Sequence, residues 1–88
     1  MIMTVEPIYG NGWTDGRGDI LEPSPFTIDA QRADAGTIHG RIVTSEDAGL
    51  AGATFEGTPR HTSADSLYNC RIGLEGGEVL AGYCKISQ

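Results

Sequence analysis

Apolar and polar residues alternate with a period of two through much of the second half of the chain. Over Thr37–Thr44 the pattern puts Ile38, Gly40 and Ile42 on one face and His39, Arg41 and Val43 on the other. With its β-branched residues this segment reads as a strand. The polar stretch Ser45–Gly49 is a connection, and Leu50–Phe55 returns as the partner strand, with a bulge expected near Gly52. Gly57 to Asp65, held by Pro59 and rich in Ser and Thr, reads as a loop. The strongest pattern is C-terminal, where Ser66–Leu74 and Val79–Ser87 flank the turn residues Glu75-Gly76-Gly77-Glu78. Centring that hairpin at Gly77 sets Tyr68, Cys70, Ile72 and Leu74 opposite Ile86, Cys84, Gly82 and Leu80. One face is then apolar, and a slip of one residue would mix the two faces.

The first half is less regular. Ile2, Val5 and Ile8 suggest a short strand, with Pro7 confining it to an edge or an extended arm. Tyr9 to Asp19 contains Asn11-Gly12 and Asp15-Gly16 and reads as a loop. Pro23 and Pro25 extend the chain towards a short Phe26-Thr27-Ile28 strand. Residues 29–35 have the composition for two helical turns, with Asp29 as cap and Gly36 as stop. The expectation is a mainly β protein: a small antiparallel β sandwich or sheet over residues 36–88, a C-terminal β-hairpin, one short helix near 29–35, and residues 1–35 as a turn-rich arm.

At 88 residues the chain is one domain with a modest core. Glycine, at 13 residues, is about twice its usual share. Twelve acids against six bases give a net charge of −6, with the larger share of the excess (−4) in residues 1–36. That balance argues against direct contact with nucleic acid, whose phosphates call for clustered Lys and Arg. No apolar run is long enough to span a bilayer and the first residues do not read as a signal peptide, so the expected location is the cytoplasm or a virion, away from membranes.

Candidate chemistry is sparse. Cys70 and Cys84 fall side by side on the inward face of the hairpin; a reducing cytosol favours two small buried apolar thiols, while the geometry leaves a disulfide open. Together with His39 and His61 they lack the paired spacing of a zinc site. Ser24, Ser45, Ser63, Ser66 and Ser87 are not set in a G-x-S-x-G elbow. Asp15, Asp19 and Glu22 do not match a calcium loop. Arg17-Gly18-Asp19 spells an integrin-binding tripeptide, read as coincidence. No catalytic residue, cofactor or metal is expected. Trp13 stands out: a single tryptophan in a Gly-rich loop, four residues after Tyr9. It reads either as an interface anchor or as a side chain folded back over the C-terminal sheet. The expected partner-binding residues are Tyr9, Trp13, Asp15, Asp19 and Glu22.

Gly36-Thr37-Ile38-His39-Gly40-Arg41-Ile42-Val43 followed by Gly49-Leu50-Ala51-Gly52-Ala53-Thr54-Phe55 resembles the opening hairpin of carboxypeptidase-regulatory-like and collagen-binding-B-like modules. The family proline of the second strand is missing, and Thr62-Ser63-Ala64-Asp65-Ser66-Leu67-Tyr68 only loosely matches a later segment. The resemblance implies a transthyretin-like sandwich used for adhesion or as a spacer, with no catalytic residues. The functional expectation is a non-enzymatic protein-binding or self-assembly module, such as a virion decoration or accessory protein. The alternative is a small acidic phage-encoded inhibitor, anti-CRISPR-like, that blocks a basic nucleic-acid-binding surface of a host defence complex.

Overall fold

Six antiparallel strands follow one another around a closed barrel in the computed structural model, which describes residues 1–8, 13–15, 22–33, 36–60 and 67–88. They are β1 (Ile2–Ile8), β2 (Phe26–Arg32), β3 (Ile38–Ser45), β4 (Thr54–Pro59), β5 (Leu67–Gly73) and β6 (Val79–Ser87). Each strand pairs with its neighbours in sequence, and β6 returns to β1 through Val5↔Ile86 and Pro7↔Cys84. The mainly β, antiparallel expectation is met. Its closure into a barrel was not anticipated by a sandwich or open sheet.

Every stave alternates. Met3, Val5, Phe26, Ile28, Ile38, Ile42, Phe55, Ile72, Leu80 and Ile86 point inward and are buried, whereas Thr4, Glu6, Asp29, Arg41, Glu56, Arg71 and Lys85 face out. A six-stranded barrel is narrower than the eight-stranded size whose interior side chains just fill, so this interior is a packed core. Phe26 and Phe55 meet edge to face at 5.8 Å. Small residues sit where staves approach most closely: Gly40 lies opposite Ala30, and a Cβ on it would come within 2.6 Å of the Ala30 Cα. No buried polar or charged residue is found among the described residues.

Several expectations are corrected. Residues 1–35 are not an arm beside a separate β domain, because β1 and β2 are two of the six staves and supply Met3, Val5, Phe26 and Ile28 to the core. The helix near 29–35 is absent over its described part: Asp29–Arg32 finish β2, paired through Ala30↔Gly40 and Arg32↔Ile38. Tertiary pairing overrides a weak helical propensity there. Pro7 is accommodated because β2 pairs with β1 only as far as Val5, leaving Pro7 with a strand on one side alone.

The turn residues Leu50–Gly52 precede β4, which begins at Thr54 and runs through Gly57 to Pro59, residues expected to be loop. A register shift between Thr27 and Ile28 opposite β3 leaves both Val43 and Thr44 exposed. The C-terminal hairpin forms, shifted by two residues from the expected pairing: Tyr68 faces Cys84, Cys70 faces Gly82 and Ile72 faces Leu80. A two-residue shift preserves both faces, so the inward set is unchanged. Cys70 and Cys84 become diagonal neighbours, with Cα atoms 6.4 Å apart, and are joined as a disulfide rather than lying as two thiols.

Candidate functional site at the acidic end of the barrel

The meander sends three connections to the same end of the barrel: the one from β1 to β2, that from β3 to β4, and the turn between β5 and β6. Polar turn residues punctuate strands, and here these residues are largely acidic. Glu22, Glu46, Asp47, Glu75 and Glu78 all lie in these connections, and Asp15 adjoins the Thr14↔Ala81 bridge near the start of β6. Arg41 on β3 reaches this end and donates from Nη1 to the Gly52 carbonyl at 3.0 Å.

Asp47 organises this end. Its Oδ2 accepts the Ser24 backbone N–H at 2.8 Å, tying the segment before β2 to the β3–β4 connection, and its own N–H donates to Ser45 Oγ at 3.0 Å. Glu22 and Asp47 thereby border a groove of about 270 Å³ with an apolar lining of Pro23, Ala48, Leu50, Leu74 and Leu80. On the other side of Leu74 a second groove, about 450 Å³, runs between Arg41, Ala51, Gly52, Gly73 and Glu75. Small residues with positive-φ glycines at Gly49, Gly52, Gly76 and Gly77 keep the loop crests low, so the grooves stay open. The end offers carboxylates beside an aliphatic floor that is buried at Pro23, Leu50 and Leu80 and partly exposed at Leu74, an arrangement suited to Lys and Arg side chains, whose stems lie on apolar ground while their heads meet acids.

The flank of the barrel differs in charge. Arg60 stacks over the Tyr83 ring at 4.5 Å, and Asn69, Arg71 and Lys85 stand around it on β5 and β6. Tyr83 is the exposed aromatic of this face, at 38%. Further round the barrel, on β3 and β4, His39 Nδ1 lies 3.5 Å from Glu56 Oε2, both side chains about half exposed, and Glu56 faces Arg71 across the strands.

The expected partner-binding residues separate. Trp13 is 1% exposed: its indole fills interior space beside Gly82 and donates from Nε1 to the Tyr83 carbonyl at 2.8 Å. Of its two readings, the fold-back over the C-terminal strands holds, and Trp13 is not a surface anchor. Thr14 then pairs with Ala81 through both backbone bonds. Glu22 is exposed on the acidic end, and Asp15 is partly exposed next to Thr14. Tyr9 and Asp19 lie outside the described residues. Glu46, Asp47, Glu75 and Glu78 were not singled out from the sequence, because only strand order brings their two connections to the end that also holds Glu22.

Among the described residues no three His, Cys, Asp or Glu side chains gather to hold a metal ion, and no helix is long and apolar enough to cross a membrane. Comparison of the chain with protein-family models, with characterised proteins and with solved structures finds no match.

Proposed function

We propose that this protein is a small non-enzymatic binding module whose acidic end holds a basic surface of a protein partner. The observation that carries the reading is the collection of Glu22, Glu46, Asp47, Glu75 and Glu78 on connections at one end, where Glu22 and Asp47 border a groove with an apolar floor. Clustered carboxylates raise encounter rates with a basic partner, and the aliphatic floor supplies desolvated contact area. Assembly through an extended N-terminal arm, by contrast, loses its carrier once β1 and β2 are staves and Trp13 is interior. Occlusion of a basic nucleic-acid-binding surface, as an inhibitor of a defence complex would do, is one form of the same reading. Here it rests on charge and loop shape, since these carboxylates sit on separate connections and not in the dense row a duplex presents.

The test is affinity capture from the native host with the wild type and with a Glu46→Lys/Glu75→Lys/Glu78→Lys variant, at about 50 mM and about 500 mM salt. The expected result is a captured basic protein that is lost with the variant and lost at high salt. A partner retained by the charge-reversed protein at both salts overturns the reading.

A further inference from the structure

Cys70 on β5 and Cys84 on β6 are linked inside the barrel, and each is at most 1% exposed. Their separation of 14 residues encloses the β5–β6 turn with Glu75 and Glu78, and also Gly82, the seat of the Trp13 indole. The covalent loop therefore spans one of the three acidic connections and the docking site of the 13–15 segment. A chain of 88 residues buries only a small core, the circumstance in which cross-links supplement apolar area.

We propose that the barrel reaches its working form only on oxidation of Cys70 and Cys84, and that the protein acts in an oxidising compartment and not in the reducing cytosol, which sets aside the defence-complex form of the acidic-end reading. Such bonds persist outside reducing compartments and are removed by dithiol systems within them. The oxidant required is a disulfide-carrying protein or small molecule. A thiolate of one cysteine attacks its disulfide and expels one oxidant thiolate, giving a mixed disulfide. The second cysteine, as thiolate, then attacks the first cysteine's sulfur and releases the other oxidant thiolate. Two electrons and the two cysteine protons pass to the oxidant, which leaves as a dithiol. With both sulfurs buried, reduction of the folded barrel must wait for local opening of β5 and β6.

This proposal relies on the acidic-end reading only for what the working form does, and its test is independent of any partner. Protein from the native host is acid-quenched, alkylated without reductant and weighed; no alkylated cysteine is expected. Melting of the same full-length chain before and after reduction by a dithiol is expected to drop by about 10–20 °C, with the Trp13 emission shifting to the red, and reoxidation is expected to restore both. Two alkylated cysteines in the quenched native protein, or reduced and oxidised melting points within about 2 °C of each other, overturn it. If the shift appears but the oxidised protein captures no basic partner, the acidic-end reading fails and the oxidation requirement stands.

Discussion

The Trp13 indole stands in the space that a side chain at Gly82 would need: a Cβ there would come within 2.3 Å of Trp13 Cδ2. Trp13 is thus the interior filling of β6 at that level, and its Nε1–H is satisfied by the next residue's carbonyl, Tyr83. Gly82→Ala should expel the indole or push β6 aside, lowering unfolding free energy by about 2–4 kcal/mol and red-shifting the tryptophan emission. Denaturant melts followed by fluorescence read both effects. A Gly82→Ala variant with wild-type emission and midpoint would show that the indole lies elsewhere.

Gly40 and Gly49 separate two demands made of glycine. A Cβ on Gly40 would lie 2.1 Å from the Asp29 carbonyl oxygen, where only backbone can give way, whereas Gly49 has open space and a φ of +83°. Gly40→Ala is expected to cost about 3 kcal/mol or more, a large fraction of the stability of a small barrel. Gly49→Ala pays only for the left-handed backbone, about 1–2 kcal/mol. Thermal melts of the two variants should rank in that order.

The outer His39–Glu56 contact should contribute little. His39 and Glu56 are 54% and 47% exposed, and Glu56 also faces Arg71. Screening and side-chain entropy leave such pairs near 0–1 kcal/mol. Glu56→Ala is expected to move stability by less than about 0.5 kcal/mol, and a larger loss in a denaturant melt would assign that face a structural part.

Faces could be read from the chain and closure could not. Ile38/Ile42 and Tyr68/Cys70/Ile72 announce their inward side through alternation, since the period of two is local. The pairing of Val5 with Ile86 depends on two segments from opposite ends of the chain, and no local pattern encodes it. The same limit explains Asp29–Arg32. Phe26, Ile28 and Ala30 continue one alternation, but Ala30 faces inward only because Gly40 opposite it clears the room. The hairpin was displaced by two residues because that shift leaves every face intact, so hydrophobicity alone does not choose between the registers. At the candidate site Glu22 was legible as an acid in a loop, and Trp13 as an unusual residue. The company Glu22 keeps with Asp47 and Glu75 follows from strand order alone.

Asp47 gives the most discriminating test of the acidic end, because it combines charge with a structural bond. Its carboxylate accepts the Ser24 N–H at 2.8 Å, so Asp47→Ala removes one acid and also releases the segment holding Glu22 and Pro23, two residues of the apolar groove. The lost charge-assisted bond is worth about 1–2 kcal/mol of stability, since Ser24 is partly exposed and water replaces the acceptor. Asp47→Asn keeps an acceptor oxygen for the Ser24 N–H and removes only the charge, so it should melt within about 0.5 kcal/mol of the wild type. If the groove holds basic side chains, partner binding measured by titration calorimetry should weaken for both variants, and more for Asp47→Ala. Weakening confined to Asp47→Ala would assign recognition to the shape of the 22–25 segment, with its charge playing no part.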